Sequence, residues 1–332
     1  ATGTITVTSG GVTLGSGTIA GNVVTITTTV LPGGTDTILS SYGGDTTHNT
    51  ATGTTTQTVS KVSTTIALTS SVNPSVANQP VTFTATVPTG VTGTVTFTNG
   101  VTVLGSPTIS NGIATVTTST LPAGSNPIKA TYNGDVNYDT ATATLTQTVT
   151  KATPTVTVTT SGPSTYGSSV TITATVPTGT TGTITFTSGG VTLGSGTIAA
   201  GSVVITTSVL PVGADLITAS YGGDSNNNVA TGTVTQTVSK ATPTVTLASS
   251  ANPAAVNQAV TFTATVPTTA TGTVTFKNGT TTLGTATIVN GVAAVTTSTL
   301  PMGRNVSTAN YSGDTNNNTE TTNLTETRNK AS

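Results

Sequence analysis

The sequence predicts an all-β protein of tandem antiparallel β-sandwiches, about seven strands in each. Three observations carry this. The first is a repeat. "YGGD" at Tyr42–Asp45 returns as "YNGD" at Tyr132–Asp135, "YGGD" at Tyr221–Asp224 and "YSGD" at Tyr311–Asp314, in steps of 90, 89 and 90 residues. "LP" at Leu31, Leu121, Leu210 and Leu300 keeps those steps. A unit of this length can bury one small core of its own. The second observation is alternation. In "VTFTATV", Val81, Phe83, Ala85 and Val87 alternate with Thr82, Thr84 and Thr86. That is the period of a half-buried strand with β-branched Thr on its wet face. The third is composition. Thr dominates with Gly, Val and Ser, strong helix formers are scarce, and no window shows helical period.

One full repeat, 61–150, reads in order. "STTIALTS" is a strand and "NPSVANQP" a turn. "VTFTATV" and "TGTVTF" are strands, the latter with Val95 and Phe97 inward. "VTVLGSPTI" and "IATVTTSTL" flank Asn111-Gly112, a tight-turn signal. After "LPAG", "PIKATY" places Ile128, Ala130 and Tyr132 on one face. After "NGDVNYDT", "ATLTQTV" places Leu145 and Val149 on one face. The predicted core is therefore Val81, Phe83, Val95, Phe97, Ile128, Tyr132 and Leu145, with their repeat equivalents.

Boundaries fall near Lys61, Lys151 and Lys240, which gives domains 61–150, 151–239 and 240–332. Very short linkers predict domains set end to end with limited bending. Residues 1–60 read as an incomplete domain. "ATGTITVTSGGVTLGSGTIA" at 1–20 returns as "TTGTITFTSGGVTLGSGTIA" at 180–199, but only the later copy is preceded by two strands and a turn. By register residue 1 matches about residue 91, so the first two strands are absent. Lys330-Ala331-Ser332 is similar to the starts at Lys151 and Lys240. The expectation is a window from a longer array, or a first domain completed by a neighbouring copy, with Thr4–Val7 and Val23–Thr27 as the strands to be covered.

On these residues the chain resembles the bacterial immunoglobulin-like repeats of the group-three type. The resemblance rests on the "VTFTATV" and "GTVTF" strands, the "LPAG" turn, the "YNGDVNY" corner and the closing "TQTV" strand, and it runs through the whole chain in register. It implies an immunoglobulin-like sandwich. It also implies the role such repeats have in secreted and cell-surface proteins: stalk, spacer, adhesin module or sheath component. Asn stands where the family often carries an aromatic, in "DSNNN" and "DTNNN".

Charge narrows the function further. Charged residues are 5% and the net charge is −1, so there is no basic field for nucleic acid. No run of about 18 apolar residues offers a membrane span. There are no cysteines. The corner offers oxygen ligands at alternate positions: Asp135, Asn137 and Asp139; Asp224, Asn226 and Asn228; Asp314, Asn316 and Asn318. Such spacing suits the start of a calcium loop, but the carboxylates are few and no closing Glu follows. The other reading is a structural turn in which Asp caps backbone N–H groups and Tyr anchors the corner. No other cofactor is expected.

Catalysis finds no footing. His48 is the single histidine, and Glu occurs only at Glu320 and Glu326, so no nucleophile–base pair or carboxylate pair repeats. The sequence predicts a protein that is not an enzyme. A Lys–Asn isopeptide through the boundary lysines, or an ester through Gln57, Gln147 and Gln236, competes with exposed Lys and outward-facing Gln. Sequons at Asn278, Asn305, Asn310, Asn317 and Asn323 are expected from a Thr-rich composition alone. O-linked sugars on outward Thr rows suit a surface so poor in charge. The expected role is an extracellular structural repeat: a segment of a cell-surface rod, filament or sheath. The alternatives are the stalk of an adhesin whose binding module lies elsewhere, or a spacer in a secreted enzyme. Its partners would be copies of itself or the rest of a longer chain, and surface glycans.

Overall fold

A computed structural model describes residues 1–330. Ala331 and Ser332, where the sequence suggests a new domain begins, lie outside them. The chain divides into two compact units, 1–152 and 153–332. Every regular element among the described residues is a strand.

In the first unit, residues 1–60 form a single sheet. Its strands are β1 (Thr4–Ser9), β2 (Val12–Thr18), β3 (Gly34–Tyr42) and β4 (Ala51–Val59), in the order β2-β1-β3-β4. Residues 61–150 form a sandwich. Its strands are β5 (Ala67–Ser70), β6 (Ser75–Val76), β7 (Val81–Thr86), β8 (Val95–Asn99), β9 (Thr102–Gly105), β10 (Ile113–Thr118), β11 (Gly124–Tyr132) and β12 (Ala141–Thr150). One sheet is β10-β7-β5 and the other is β6-β12-β11-β8-β9. The segment read as a plain turn, "NPSVANQP", therefore contains an eighth strand. β6 pairs in parallel with the end of β12, Ser75 opposite Val149 and Val76 opposite Thr150. The same two-sheet pattern recurs twice in the second unit.

Alternation decides which side chains meet. Phe83 from one sheet and Val95, Phe97, Ile128, Ala130 and Tyr132 from the other are fully buried. Each large apolar side chain removed from water in this way contributes about 1.5–3 kcal/mol. Equivalent clusters around Phe186 and around Phe262 and Phe276 fill the later sandwiches. Leu145, expected in the core, is only half-buried and packs against the edge of the core cluster from the middle of β12. The outward face carries cross-strand Thr pairs, such as Thr82 Oγ1 and Thr117 Oγ1 at 2.8 Å.

The first sheet differs for a physical reason. In the complete sandwiches β10 (or Ser202–Thr207) pairs with β7 (or Val170–Thr175). Residues 1–60 hold no counterpart of β7. The expected strand at Val23–Thr27 accordingly does not form; only an isolated bridge between Ala20 and Val23 remains. Ile5, Val7, Ile38 and Tyr42 are half-buried, whereas their counterparts Val95, Phe97, Ile128 and Tyr132 are fully buried.

Candidate functional site

The most repeated polar construction is the Tyr-x-Gly-Asp corner between the last two strands of each unit. Gly134 has φ +79°, and a Cβ there would stand 3.2 Å from Tyr138 O. Glycine takes this left-handed turn without steric cost. The turn aims the Asp135 carboxylate back into its own loop. Its Oδ1 accepts from the backbone N–H groups of Asn137 and Tyr138, both at 2.8 Å. Its Oδ2 accepts from Thr92 N at 3.0 Å and Thr92 Oγ1 at 2.6 Å. Thr92 lies just ahead of β8, so one carboxylate ties the corner to the neighbouring strand.

The pattern holds in all four repeats. Asp45 accepts from Thr2, Thr47 and His48. Asp224 accepts from Thr181, Asn226 and Asn227, and Asp314 from Thr271, Asn316 and Asn317. These bonds hold each carboxyl well below the usual carboxylate range. The Thr92 hydroxyl is the foremost cause at Asp135, and the Thr2 N–H at Asp45. At Asp224 and Asp314 burial pushes upward, and the N–H donors led by Thr181 and Thr271 outweigh it. Burial pushes the Tyr132 and Tyr221 hydroxyls up to about 12.

The fourth corner position explains how Asn replaces the aromatic. Tyr138 packs against the core cluster of 61–150. Asn227 and Asn317 are buried instead, and their Nδ2 groups donate to both oxygens of Asp224 and Asp314. His48 holds this position in residues 1–60, its Nδ1 2.9 Å from Asp45 Oδ1. The corner thus brings Asp135, Asp224 and Asp314 into bonds with backbone donors. It leaves Asp139 exposed, donating its N–H to Val62 O. Among the described residues no group of three His, Cys, Asp or Glu is placed to hold a metal ion.

The corner also grips the linker ahead of its own domain. Val62 N donates to Asn137 O at 2.8 Å, Asp139 N to Val62 O at 3.0 Å, and Lys61 Nζ to Asp135 O at 2.6 Å. Gly33, from the preceding sheet, donates its N–H to Asn137 Oδ1 at 3.1 Å. In the second unit Ala241 N donates to Asn316 O, Asn318 N to Ala241 O, and Lys240 Nζ to Asp314 O. The boundary lysines are therefore exposed but engaged at Lys61 and Lys240.

Two polar side chains that the sequence places on the outward face lie inward. Gln147 and Gln236 face inward and are buried, not outward. Gln147 Nε2 donates to Val72 O at 3.0 Å and Ser75 Oγ at 3.2 Å, and Ser70 Oγ donates to its Oε1 at 2.7 Å. The signal was available, because Gln147 shares the parity of Leu145 and Val149. Of the sequon residues, Asn305 and Asn317 are buried, and Asn278 Nδ2 donates to Asn305 Oδ1. A glycan on Asn305 or Asn317 is incompatible with these packed side chains. Asn323 is exposed.

The family model described as bacterial Ig-like domain (group 3) matches residues 68–150, 155–239 and 246–328. Among solved structures, a tetra-tandem repeat from the extending region of a large adhesion protein is 17% identical; the match covers 99% of this chain and 92% of that one, with a TM-score of 0.45. The Escherichia coli adhesin FdeC is 17% identical over 80% of this chain and 96% of its own, with a TM-score of 0.27. Fibronectin(III)-like modules of Clostridium thermocellum CbhA are 20% identical over 52% of this chain and 94% of theirs, with a TM-score of 0.24. No curated protein matches. Among the described residues no helix is long and apolar enough to cross a membrane.

Proposed function

We propose, since the chain belongs to the bacterial Ig-like domain (group 3) family, that it is a non-catalytic, load-bearing segment of an extracellular cell-surface stalk or rod. The observation that carries this reading is the corner that clamps the linker ahead of its own domain in 61–150 and again in 240–330. A chain of beads needs no such clamp; a strut that transmits force does. Strand direction supports it. β6, near the start of a domain, runs parallel to β12 at its end. Chain entry and exit therefore lie at opposite ends, and a pull on the termini shears β6 along β12. The ladder bonds lie across that load and resist together. Ser164–Thr165 and Ala254–Ala255 repeat the arrangement. A neutral, Thr-rich surface suits close packing or sugar decoration.

Single-molecule pulling on the full chain tests the mechanical part. Three discrete ruptures are expected, each releasing roughly 300 Å of chain at 3.3–3.6 Å per residue. Extension without discrete ruptures would overturn it. Antibody labelling of intact producing cells tests the location; labelling only after lysis would overturn that.

A further inference from the structure

One polar position alternates along the chain. In 61–150 it is Asn126, in 240–330 Asn305, and both are buried. Asn126 Nδ2 donates to Pro122 O at 2.9 Å and Gly124 O at 3.3 Å, while its Oδ1 accepts from Asn99 Nδ2 at 2.9 Å. Asn305 makes the same set with Pro301 O, Gly303 O and Asn278 Nδ2. Each network is balanced: an amide NH₂ serves two carbonyl oxygens, and a second amide serves its oxygen.

The other two units break the balance. Asp215 replaces Asn126, and Ser188 replaces Asn99; Asp36 and Ser9 do the same in 1–60. Ser can donate to the Asp carboxylate as Asn99 donates to the Asn126 amide oxygen. In its ionised form the carboxylate offers no donor in place of the NH₂. By register the carbonyls of Pro211 and Gly213 take the places of those of Pro122 and Gly124, and now face an acceptor. Asp215 Oδ2 and Asp36 Oδ2 are both buried without a hydrogen-bond partner. Over Asp215 lies a pocket of about 190 Å³, lined by Ser188, Leu193, Leu210 and Pro211 among others, with no Lys or Arg in its wall.

We propose that Asp215, Ser188 and the carbonyl oxygens of Pro211 and Gly213 bind a hard cation, and that Asp36 and Ser9 form the matching site in 1–60. The cation supplies the electropositive partner for the carbonyl oxygens that the neutral Asn NH₂ supplies, as an N–H donor, in the sister repeats. One carboxylate, one hydroxyl and two carbonyls give four oxygen donors, and water entering from the pocket completes the six to eight that calcium takes. The apolar wall strengthens the attraction by lowering the local dielectric. Burial also pushes the Asp215 carboxyl upward, as expected for a charge that lacks its counter-charge. The site differs from the corner, whose Asp oxygens already accept N–H groups.

The test is thermal unfolding of the full chain, stripped with chelator, then returned to calcium at about 10 mM, above the ~10⁻⁴–10⁻³ M constants of extracellular calcium modules. Sodium at matched ionic strength is the second arm. Wild type should melt several degrees higher with calcium, and the D36N/D215N variant should not respond. A full response to sodium assigns the sites to a monovalent ion. The sister-type variant S9N/D36N/S188N/D215N guards against misfolding, since it rebuilds the network of 61–150. An equal calcium response in wild type and variants, or none in wild type, overturns the proposal. In the second case a melting temperature that depends on pH only in wild type identifies the missing positive charge as a proton.

Discussion

Glu326 and Arg328 stand side by side on the inward face of the last strand, 4.0 Å between Oε1 and Nε, at 0% and 1% exposure. Their counterparts are Gln147 and Val149 in one sandwich and Gln236 and Val238 in the next. Arg328 Nη1 donates to Ala255 O and Gln258 O, but its Nε and Nη2 and both Glu326 oxygens lack hydrogen-bond partners. A buried pair this loosely bonded recovers little of its desolvation cost. Replacing it whole by E326Q/R328V should leave the domain as stable or more stable by about 1–4 kcal/mol, while Glu326→Gln alone, which strands the guanidinium, should cost about 3–5 kcal/mol. Urea unfolding of the full chain, followed through the transition of residues 240–330, reads both. A single variant as stable as the double one would refute the account.

Gln57 and Gln147 open the same motif, "QTVSK" and "QTVTK", with opposite surroundings. Gln147 is buried beneath the 71–77 turn, and Gln57 is exposed. Gln147→Ala should cost about 1–3 kcal/mol, because it leaves buried partners unsatisfied. Gln57→Ala should be neutral within about 0.5 kcal/mol. Thermal denaturation of the two variants reads the difference.

These pairs show how far the sequence was legible. Alternation and register identified the sandwich and most of its core, because one buried face per strand leaves Phe83, Val95 and Phe97 a single choice of side. The same alternation placed Gln147 inward, but polarity argued for the opposite face. Only the bonds to Val72 and Ser75 show why an amide is tolerated there. The corner carboxylates were visible by spacing. Their saturation by Thr92 and by Asn137 and Tyr138 depends on backbone N–H directions, which spacing does not encode. The Asn126–Asp215 exchange was invisible until the carbonyls around Asn126 were known.

The corner sets the response to pH. Asp45, Asp135, Asp224 and Asp314 ionise below their unfolded value of about 3.8, so their contribution is present above that value and is lost as pH falls through the folded pKa. At the alkaline end burial pushes the Tyr132 and Tyr221 hydroxyls from an ordinary 10.0 up to about 12. Their contribution is present below pH 10 and is lost as pH rises from there through about 12. Melting temperature against pH should therefore fall below pH 4 and again above pH 10. Changing the four aspartates to Asn should flatten the acid limb and weaken the alkaline one only in part, because burial is the foremost cause at Tyr132 and Tyr221 and the neighbouring Asp charge the lesser one. An acid limb unchanged in that variant would remove the corner from the account.

The first sheet offers the strongest test of what holds a sandwich together. Its inward residues nearly match those of 151–239: Ile5 with Ile184, Val24 with Val203, Ile26 with Ile205, Ile38 with Ile217 and Tyr42 with Tyr221. Val7 is smaller than its counterpart Phe186. What differs is the cover, since Ile172 and its strand have no equivalent over residues 1–60. Residues 151–179 fused ahead of Ala1, with Val7→Phe to fill the core, should supply that cover. The segment brings the partner for residues 23–28, as Val170–Thr175 partners Ser202–Thr207. It also brings the parallel pair for the end of β4, as Ser164–Thr165 pairs with Val238–Ser239. Backbone amides of Val23–Thr28 should gain slow hydrogen exchange, since a ladder now pairs them. Burial of four or five apolar side chains at about 1.5–3 kcal/mol each should give residues 1–60 a cooperative transition of their own. If the amides at 23–28 exchange as fast in the fusion as in the parent chain, the missing cover is not what keeps that strand from forming.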